Sequence, residues 1–368
     1  MKHILFIISL LILISCKTSK SGSENLSKVA VSSVSNSVSS GSENHNSLSS
    51  VAKPVVHDLI GQAPLYATCI DENSLKSILY TLASDNFEGR RTGEKGQKLA
   101  AEFIVDFYKK LGIPAAQSDG DYLQHIPLSY FKGRANDSSE NVVAFIKGSE
   151  KPDEYLVISA HYDHLGKKGE AIYNGADDDG SGTTAVMEIA RAFKKAADDG
   201  YGPKRSIVFL HVTGEEEGLF GSRYYSEHPI FPLDSTVVDL NIDMVGRVDE
   251  KHSDSPDYVY LIGSDKLSTE LHELSEAMNK KYTNLTLDYT YNDEKDPNRF
   301  YYRSDHYNFA KNNIPIIFYF NGVHADYHQP TDTPDKINYQ ILQNRARLVF
   351  YTAWEIANRK DRLEVDKK

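Results

Sequence analysis

Five short stretches carry side chains that can hold and use a metal ion. They are AHYDHLG (160–166), GADDDGSG (175–182), TGEEEGLFGS (213–222), NIDMVGR (241–247) and YHQPTDTPDKI (327–337). Taken one at a time, each has an ordinary explanation. An acid after a strand usually finishes a turn, and Asp179 or Ser181 suits the N-cap of a following helix. A lone histidine after a strand is most often only hydrogen-bonded. ADDDGSG lacks the alternating acids and distant glutamate of a calcium loop, and neither an HExxH pair nor a Gly-x-Ser-x-Gly elbow occurs. Together, His161 and His164, the 177–179 aspartates, the 215–217 glutamates, Asp243, and His324 and His328 ask for a common guest. Imidazole and carboxylate without thiolate suit a catalytic zinc site. The set exceeds one tetrahedral ion and fits two ions about 3.5–4 Å apart that share a carboxylate and a water. Divalent charge also offsets the repulsion among Glu215, Glu216 and Glu217.

Elements that can position these groups follow from periodicity. Apolar runs at 141–146, 155–160, 205–212, 236–242, 258–262 and 314–320 read as strands, several of them apolar on nearly every residue as in sheets covered on both faces. Helical patterns cover 73–83, 96–111, 184–195, 267–281 and 339–357. In the second of these, Leu99, Phe103, Phe107 and Leu111 form a stripe, and Gly112 with Pro114 marks the stop. The alternation predicts an α/β fold with a mixed, mostly parallel central sheet and helices on both faces. In such sheets functional groups gather beyond the carboxyl ends of the strands. Strands ending near 160, 212, 242 and 320 deliver the histidines, glutamates and Asp243 to that edge. The 175–182 segment opens a helix that can sit over it.

The five motifs, in this order, resemble those of the co-catalytic zinc exopeptidases. That family is typified by secreted bacterial leucyl aminopeptidases and includes glutamate carboxypeptidase II and the glutaminyl cyclases. The resemblance runs from about Asp71, through the loop FEGRRTGEKG, to the last helix near Ala357. It implies two Zn2+ per chain: His161 and Asp243 on the first, Glu216 and His328 on the second, and Asp178 bridging both. It implies that Asp163 orients His161 from behind and that the Asp178–Asp179 peptide is cis. Glu215 becomes the general base acting on the water shared by the ions, and the Tyr327 hydroxyl helps to stabilise the oxyanion. Three glutamates in place of two leave a register slip open, with Glu216 as base and Glu217 as ligand. In the favoured register Glu217 is a solvated bystander or a helix N-terminal acid.

The activity implied is that of a metallo-aminopeptidase acting on peptides, because an acid-lined site favours a free amine. Two alternatives keep the same scaffold. One is a glutaminyl cyclase. The other is a carboxypeptidase, for which Arg90, Arg91, Arg247, Arg299 and Arg303 are candidate anchors. A lipoprotein that merely binds metal is a third reading, disfavoured because binding needs no base. RFYYRSDHYNF (299–309) can line the pocket, with Asp305 and His306 as possible substrate contacts or plain loop hydrogen-bonders.

The amino end reads as an address. Residues 1–15 form a signal with Lys2 ahead of a short apolar run, and Leu13-Ile14-Ser15-Cys16 resembles a bacterial lipobox with lipid attachment at Cys16. Lys17 after that cysteine favours the outer membrane of a Gram-negative cell. Residues 16–55 are Ser- and Asn-rich and read as a flexible tether, followed by one catalytic domain over 56–368. Once Cys16 is lipidated, Cys69 is the single remaining thiol, so no internal disulfide can form. A net charge of −11 without a basic stripe argues against nucleic acid as a partner. Oligomeric state is not readable.

Overall fold

The computed structural model describes residues 59–367. The signal, Cys16, the tether and the first residues of the 56–368 domain lie outside the described residues. Among the described residues ten strands occur: β1 (Leu123–Ile126), β2 (Ser139–Ile146), β3 (Lys151–His161), β4 (Gly166–Lys168), β5 (Ala171–Tyr173), β6 (Arg205–Val212), β7 (Thr236–Ile242), β8 (Tyr258–Ile262), β9 (Thr286–Asp288) and β10 (Ile316–Phe320). The helices are α1 (Leu59–Ala67), α2 (Glu72–Leu82), α3 (Lys95–Leu111), α4 (Gly182–Asp198), α5 (Phe220–Glu227), α6 (Thr269–Met278), α7 (His306–Ala310) and α8 (Tyr339–Asn358). Three strands coincide residue for residue with the apolar runs at 205–212, 236–242 and 258–262. The short strands β1, β4, β5 and β9 have no such run, and periodicity could not announce them.

Eight strands form one sheet in the order β1-β2-β6-β3-β7-β10-β8-β9. The central four, β6, β3, β7 and β10, are mutually parallel, whereas β2 and β8 pair antiparallel to their inner neighbours. The sheet is therefore mixed and mostly parallel. The carboxyl ends of the central four share one edge: His161 stands opposite Val212, and Ile242 opposite Tyr319.

Alternating strand residues feed two cores. Val142, Ala144, Leu156, Ile158, Ile207 and Phe209 join the larger, into which α1, α2, α3, α4 and α8 also send side chains. Val143, Val157, Val208 and Leu210 point the other way, to Tyr225 of α5 and Phe309 and Ala310 of α7. In the larger core Trp354 of α8 stacks on Tyr66 of α1 and on Phe193 of α4, with ring centroids 5.7 and 5.6 Å apart. Local signals fix helix ends. Asp71 caps α2 through the amides of Asn73 and Ser74, and Gly112 ends α3 in the left-handed region at φ 69°. The stripe expected on α3 is corrected. Leu99, Phe103, Phe107 and Leu111 are only half-buried, while Ala100, Ala101, Ile104, Val105 and Tyr108 face the core. Small residues had masked the true contact face.

Candidate metal centre

Each motif reaches the sheet edge by a different local device. His161 is the last residue of β3 and Asp243 follows β7 directly. After β6 the chain turns at Gly214, and the Glu215 carbonyl accepts the amides of Gly218 and Leu219 before α5 begins at Phe220. The glutamates thus sit in a tight turn, and Glu217 is not a helix-start acid. Its carboxylate lies 3.3 Å from Arg91 Nε and is half-buried, so it is not a solvated bystander either. Residues 176–181 form one irregular turn containing the cis Asp178–Asp179 peptide. In that turn Asp179 Oδ1 accepts the amides of Gly182 and Met244 at 2.8 and 3.0 Å. Gly182 lets α4 approach β7: a Cβ there would lie 2.4 Å from the Ile242 carbonyl oxygen and 2.5 Å from the Asp179 carboxylate.

The two oxygens of Asp178 face two groups. Oδ1 is 3.2 Å from His161 Nε2, which is also 3.6 Å from Asp243 Oδ1. Oδ2 is 3.0 Å from His328 Nε2, which is 3.3 Å from Glu216 Oε2. Asp178 therefore stands where one carboxylate can serve two ions. Asp179, although buried beside His161 and Asp243, has one oxygen committed to backbone amides.

Several of these atoms lack a partner. His161 Nε2 and Glu216 Oε1 are buried without a hydrogen bond, as are both ring nitrogens of His164. Buried polar atoms are almost always paired, and an orphan costs about 1–3 kcal/mol. Carboxylates and imidazole nitrogens converging without protons to share are what a divalent cation needs, so the donor set fits a metal centre.

The surrounding groups hold these donors. The His161 Nδ1 faces the Asp163 carbonyl at 3.1 Å, with the Asp163 carboxylate 3.7 Å away. That carboxylate instead accepts Thr92 Oγ1 at 2.7 Å and the Glu215 amide at 3.2 Å, tying the base-bearing turn to the His161 loop. Ser304 donates to Asp243 Oδ2 at 2.6 Å. Asp332 Oδ2 accepts the amides of Asp177 and Asp178 at 2.9 and 3.2 Å. The fully buried Arg90 donates to the carbonyls of Tyr162, Leu82, Asn174 and Gly175, bracing the loops of His161 and Asp178 together. Asp332 and Ser304 had no individual signal, and Arg90, considered as a carboxylate anchor, is a buried brace instead, because each acts through a contact that only the fold creates.

Electrostatics separate the carboxylates. Burial, with the charges of Glu216 and Asp243, raises the Glu215 carboxyl well above the ordinary range against the opposing pull of His161. Burial opposes ionisation of Asp178 too, but His164, His161 and His328 outweigh it and hold this group well below its usual value. Burial lowers His328, yet Asp178 and Glu216 prevail and raise it to about 10. Burial, Asp178 and Glu216 all push the Tyr327 hydroxyl upward, so it stays protonated at neutral pH.

A cleft opens over the centre. Asp178, Glu215, Asp243, Tyr327 and His328 line its polar side, and Met244, Phe300, Phe318, Phe320 and Val323 its apolar side, with Arg303 beside Phe300. Of the five arginines considered as carboxylate anchors, only Arg303 lines this cleft. Arg91 pairs with Glu217, Arg247 with Asp326, and Arg299 covers the Tyr302 ring. Asp305 and His306 are buried: Ser222 donates to Asp305, and His306 Nε2 meets the Tyr301 carbonyl. Of the two readings for that pair, the structure has loop hydrogen bonding.

The sequence is 28% identical over 272 residues to the aminopeptidase YwaD of Bacillus subtilis (strain 168), covering 70% of this chain and 55% of that one. It is 33% identical over 196 residues to a probable zinc metalloprotease of Pyrenophora tritici-repentis, covering 48% of this chain and 38% of the relative. The chain thus spans about half the length of these curated relatives, or less. Among solved structures, the LapA aminopeptidase of Legionella pneumophila superposes with a TM-score of 0.64 at 20% identity, over 84% of this chain and 79% of that one. Glutaminyl cyclase of Porphyromonas gingivalis superposes with a TM-score of 0.60 at 18% identity, over 77% and 97%. At these identities the likeness is one of fold. The profile of peptidase family M28 matches residues 141–353, more than half the sequence and all five motifs, and the chain belongs to that family.

Proposed function

We propose that the protein is a zinc-dependent aminopeptidase that removes N-terminal residues from peptides. The observation that carries this reading is the cleft itself. Three carboxylates, Asp178, Glu215 and Asp243, line the end where the donors converge, and one flank is apolar. An α-ammonium matches that acidic end. Arg303 is the one arginine or lysine among the lining residues that could hold a C-terminal carboxylate.

His161, Asp178 and Asp243 would hold one Zn2+, and Asp178, Glu216 and His328 a second. Bound there, the ions supply Lewis acidity: they polarise the scissile carbonyl and make water more acidic. Glu215 is the proton carrier. Its carboxylate lines the cleft beside Asp178 and Asp243, where it takes a proton from the attacking water and returns it to the departing amine. The Asp163 contact to the Glu215 amide fixes where that carboxylate starts. Tyr327, still protonated at neutral pH, donates its hydroxyl proton toward the developing oxyanion. Phe300, Phe318 and Phe320 favour an apolar or aromatic first side chain and exclude water from the reacting bond. The motif at Cys16 supports export as a lipid-anchored protein of a Gram-negative outer membrane. Among the described residues no helix is long and apolar enough to cross a membrane.

Metal content and hydrolysis measured together test this reading. The purified protein is assayed on aminoacyl-anilides, their N-blocked versions and Gln-peptides, before and after chelation. Two zinc ions per chain, with chelator-sensitive release from free-amine substrates only, is the expected result. Cyclisation of N-terminal Gln with one zinc, or cleavage of blocked substrates, overturns it.

A further inference from the structure

His164 lies in AHYDHLG, three residues after His161, yet the ligand set implied by the family resemblance gives it no role. It is 1% exposed, and both of its ring nitrogens are buried without a hydrogen bond. A histidine kept only for packing normally commits at least one nitrogen to a fixed donor or acceptor. Here Nδ1 stands 2.7 Å from Glu216 Oε1, and neither atom completes a hydrogen bond. The same nitrogen is 3.8 Å from Asp178 Oδ2. His328 Nε2 approaches the same two carboxylates from another side, at 3.0 Å from Asp178 Oδ2 and 3.3 Å from Glu216 Oε2. The two imidazoles meet edge to face, with centroids 5.8 Å apart.

The ring is also held in place. A Cβ on Gly175 would lie 2.4 Å from His164 Cγ and 2.5 Å from Cδ2, so the glycine backbone lies against the imidazole. The His164 amide donates to the Arg90 carbonyl at 3.2 Å, and the Arg90 guanidinium in turn holds the Gly175 carbonyl. Both ends of the contact are anchored to one buried arginine. A side chain so fixed, with Nδ1 aimed at two carboxylates and neither ring nitrogen in a well-formed hydrogen bond, has the geometry of a ligand.

We propose that His164, through Nδ1, is a fourth protein ligand of the cation bound by Asp178, Glu216 and His328. The inference rests on the reading of this centre as a divalent metal site. It makes the two ions unequal. The ion at His161, Asp178 and Asp243 has three protein donors and more open positions, whereas its neighbour has four and is held more tightly.

Zinc affinity of the full chain, measured by competition with a chromogenic chelator, tests the proposal without reference to turnover. The wild-type protein is expected to release its two ions in two separated steps. His164→Asn should weaken the tighter step by about 10- to 100-fold and leave the other unchanged. X-ray absorption on the zinc-loaded wild type gives a second readout that needs no variant: three imidazoles per pair of ions are expected. Two imidazoles per pair, or a His164→Asn protein with unaltered affinities, overturns the role of His164 while leaving the dizinc reading intact. A wild-type protein that binds no zinc overturns both.

Discussion

Two groups of buried charge in this fold behave in opposite ways. Arg90 is fully buried, yet its guanidinium reaches four carbonyls at 2.6–3.0 Å. Arg205, at the far end of β6, is likewise matched by Glu154 and the carbonyls of Ile356, Arg359 and Lys360. His161, His164 and Asp178 of the metal centre are nearly as deeply buried, but His161, His164 and Glu216 keep atoms without a hydrogen bond. Burial of charge therefore does not identify function by itself. What separates a brace from a site is whether the fold supplies the partners.

The contrast is sharpest at Glu215. Replacing it with Gln preserves shape and hydrogen-bonding capacity but removes the proton carrier. We expect zinc content to be unchanged while kcat falls about 100- to 10,000-fold. Turnover on a leucyl-anilide with parallel metal analysis checks this, and near wild-type turnover would falsify the assignment. On the bracing side, Arg90→Met takes the guanidinium from the carbonyls of Leu82, Tyr162 and Asn174, while that of Gly175 keeps the Gly180 amide. A stability loss of about 3–5 kcal/mol is expected in denaturant unfolding, accompanied by weaker zinc retention because both ligand loops are released.

A third test uses a histidine away from the centre that the fold keeps neutral. Burial pushes His211, whose Nε2 meets the Tyr108 hydroxyl at 2.7 Å, down to about 3 from an ordinary 6.5. Its folded pKa lies below its unfolded one, so stability is complete above about pH 6.5. It is lost as pH falls toward 3, because only the unfolded chain takes up the proton. The expected slope is about 1.4 kcal/mol per pH unit across that window. His211→Gln should flatten the acid limb of the stability profile relative to wild type, and parallel profiles contradict the reading. The smallest effect is expected at Glu217. Its pairing with a part-exposed Arg91 supports no more than about 1 kcal/mol, and Glu217→Gln should leave turnover within a few-fold of wild type. A loss matching that of Glu215→Gln would show that the register of the triplet had been misread.

What could be read without coordinates follows from the range of each signal. The central strands announce themselves because both faces are covered, which makes 205–212, 236–242 and 258–262 continuous apolar runs. The polar residues immediately after β3, β6 and β7 could be placed at one edge because parallel strands end on the same side. The choice of Asp178 among three aspartates and of His328 over His324 needed the motif order of the family, since position beyond a strand does not distinguish them. The α3 face was misjudged because Ala100 and Ala101 carry as much of the contact as the larger residues beside them. His164 was visible in the string and still passed over: its relation to Glu216 depends on how two loops, 52 positions apart, are brought together. The same holds for Arg90, whose four acceptors come from three separate segments.

Arg90 has a bearing on where the working unit begins. The family profile starts at residue 141, and every expected zinc ligand lies downstream of that point. A fragment cut there would retain the whole chemical inventory and discard the guanidinium that braces two of the ligand loops. It would also lose Thr92, which holds Asp163, and Tyr66, which stacks on Trp354. The start of the family profile and the start of the intact ligand scaffold differ here by about a quarter of the described chain. Truncations meant to isolate the activity should start ahead of α1.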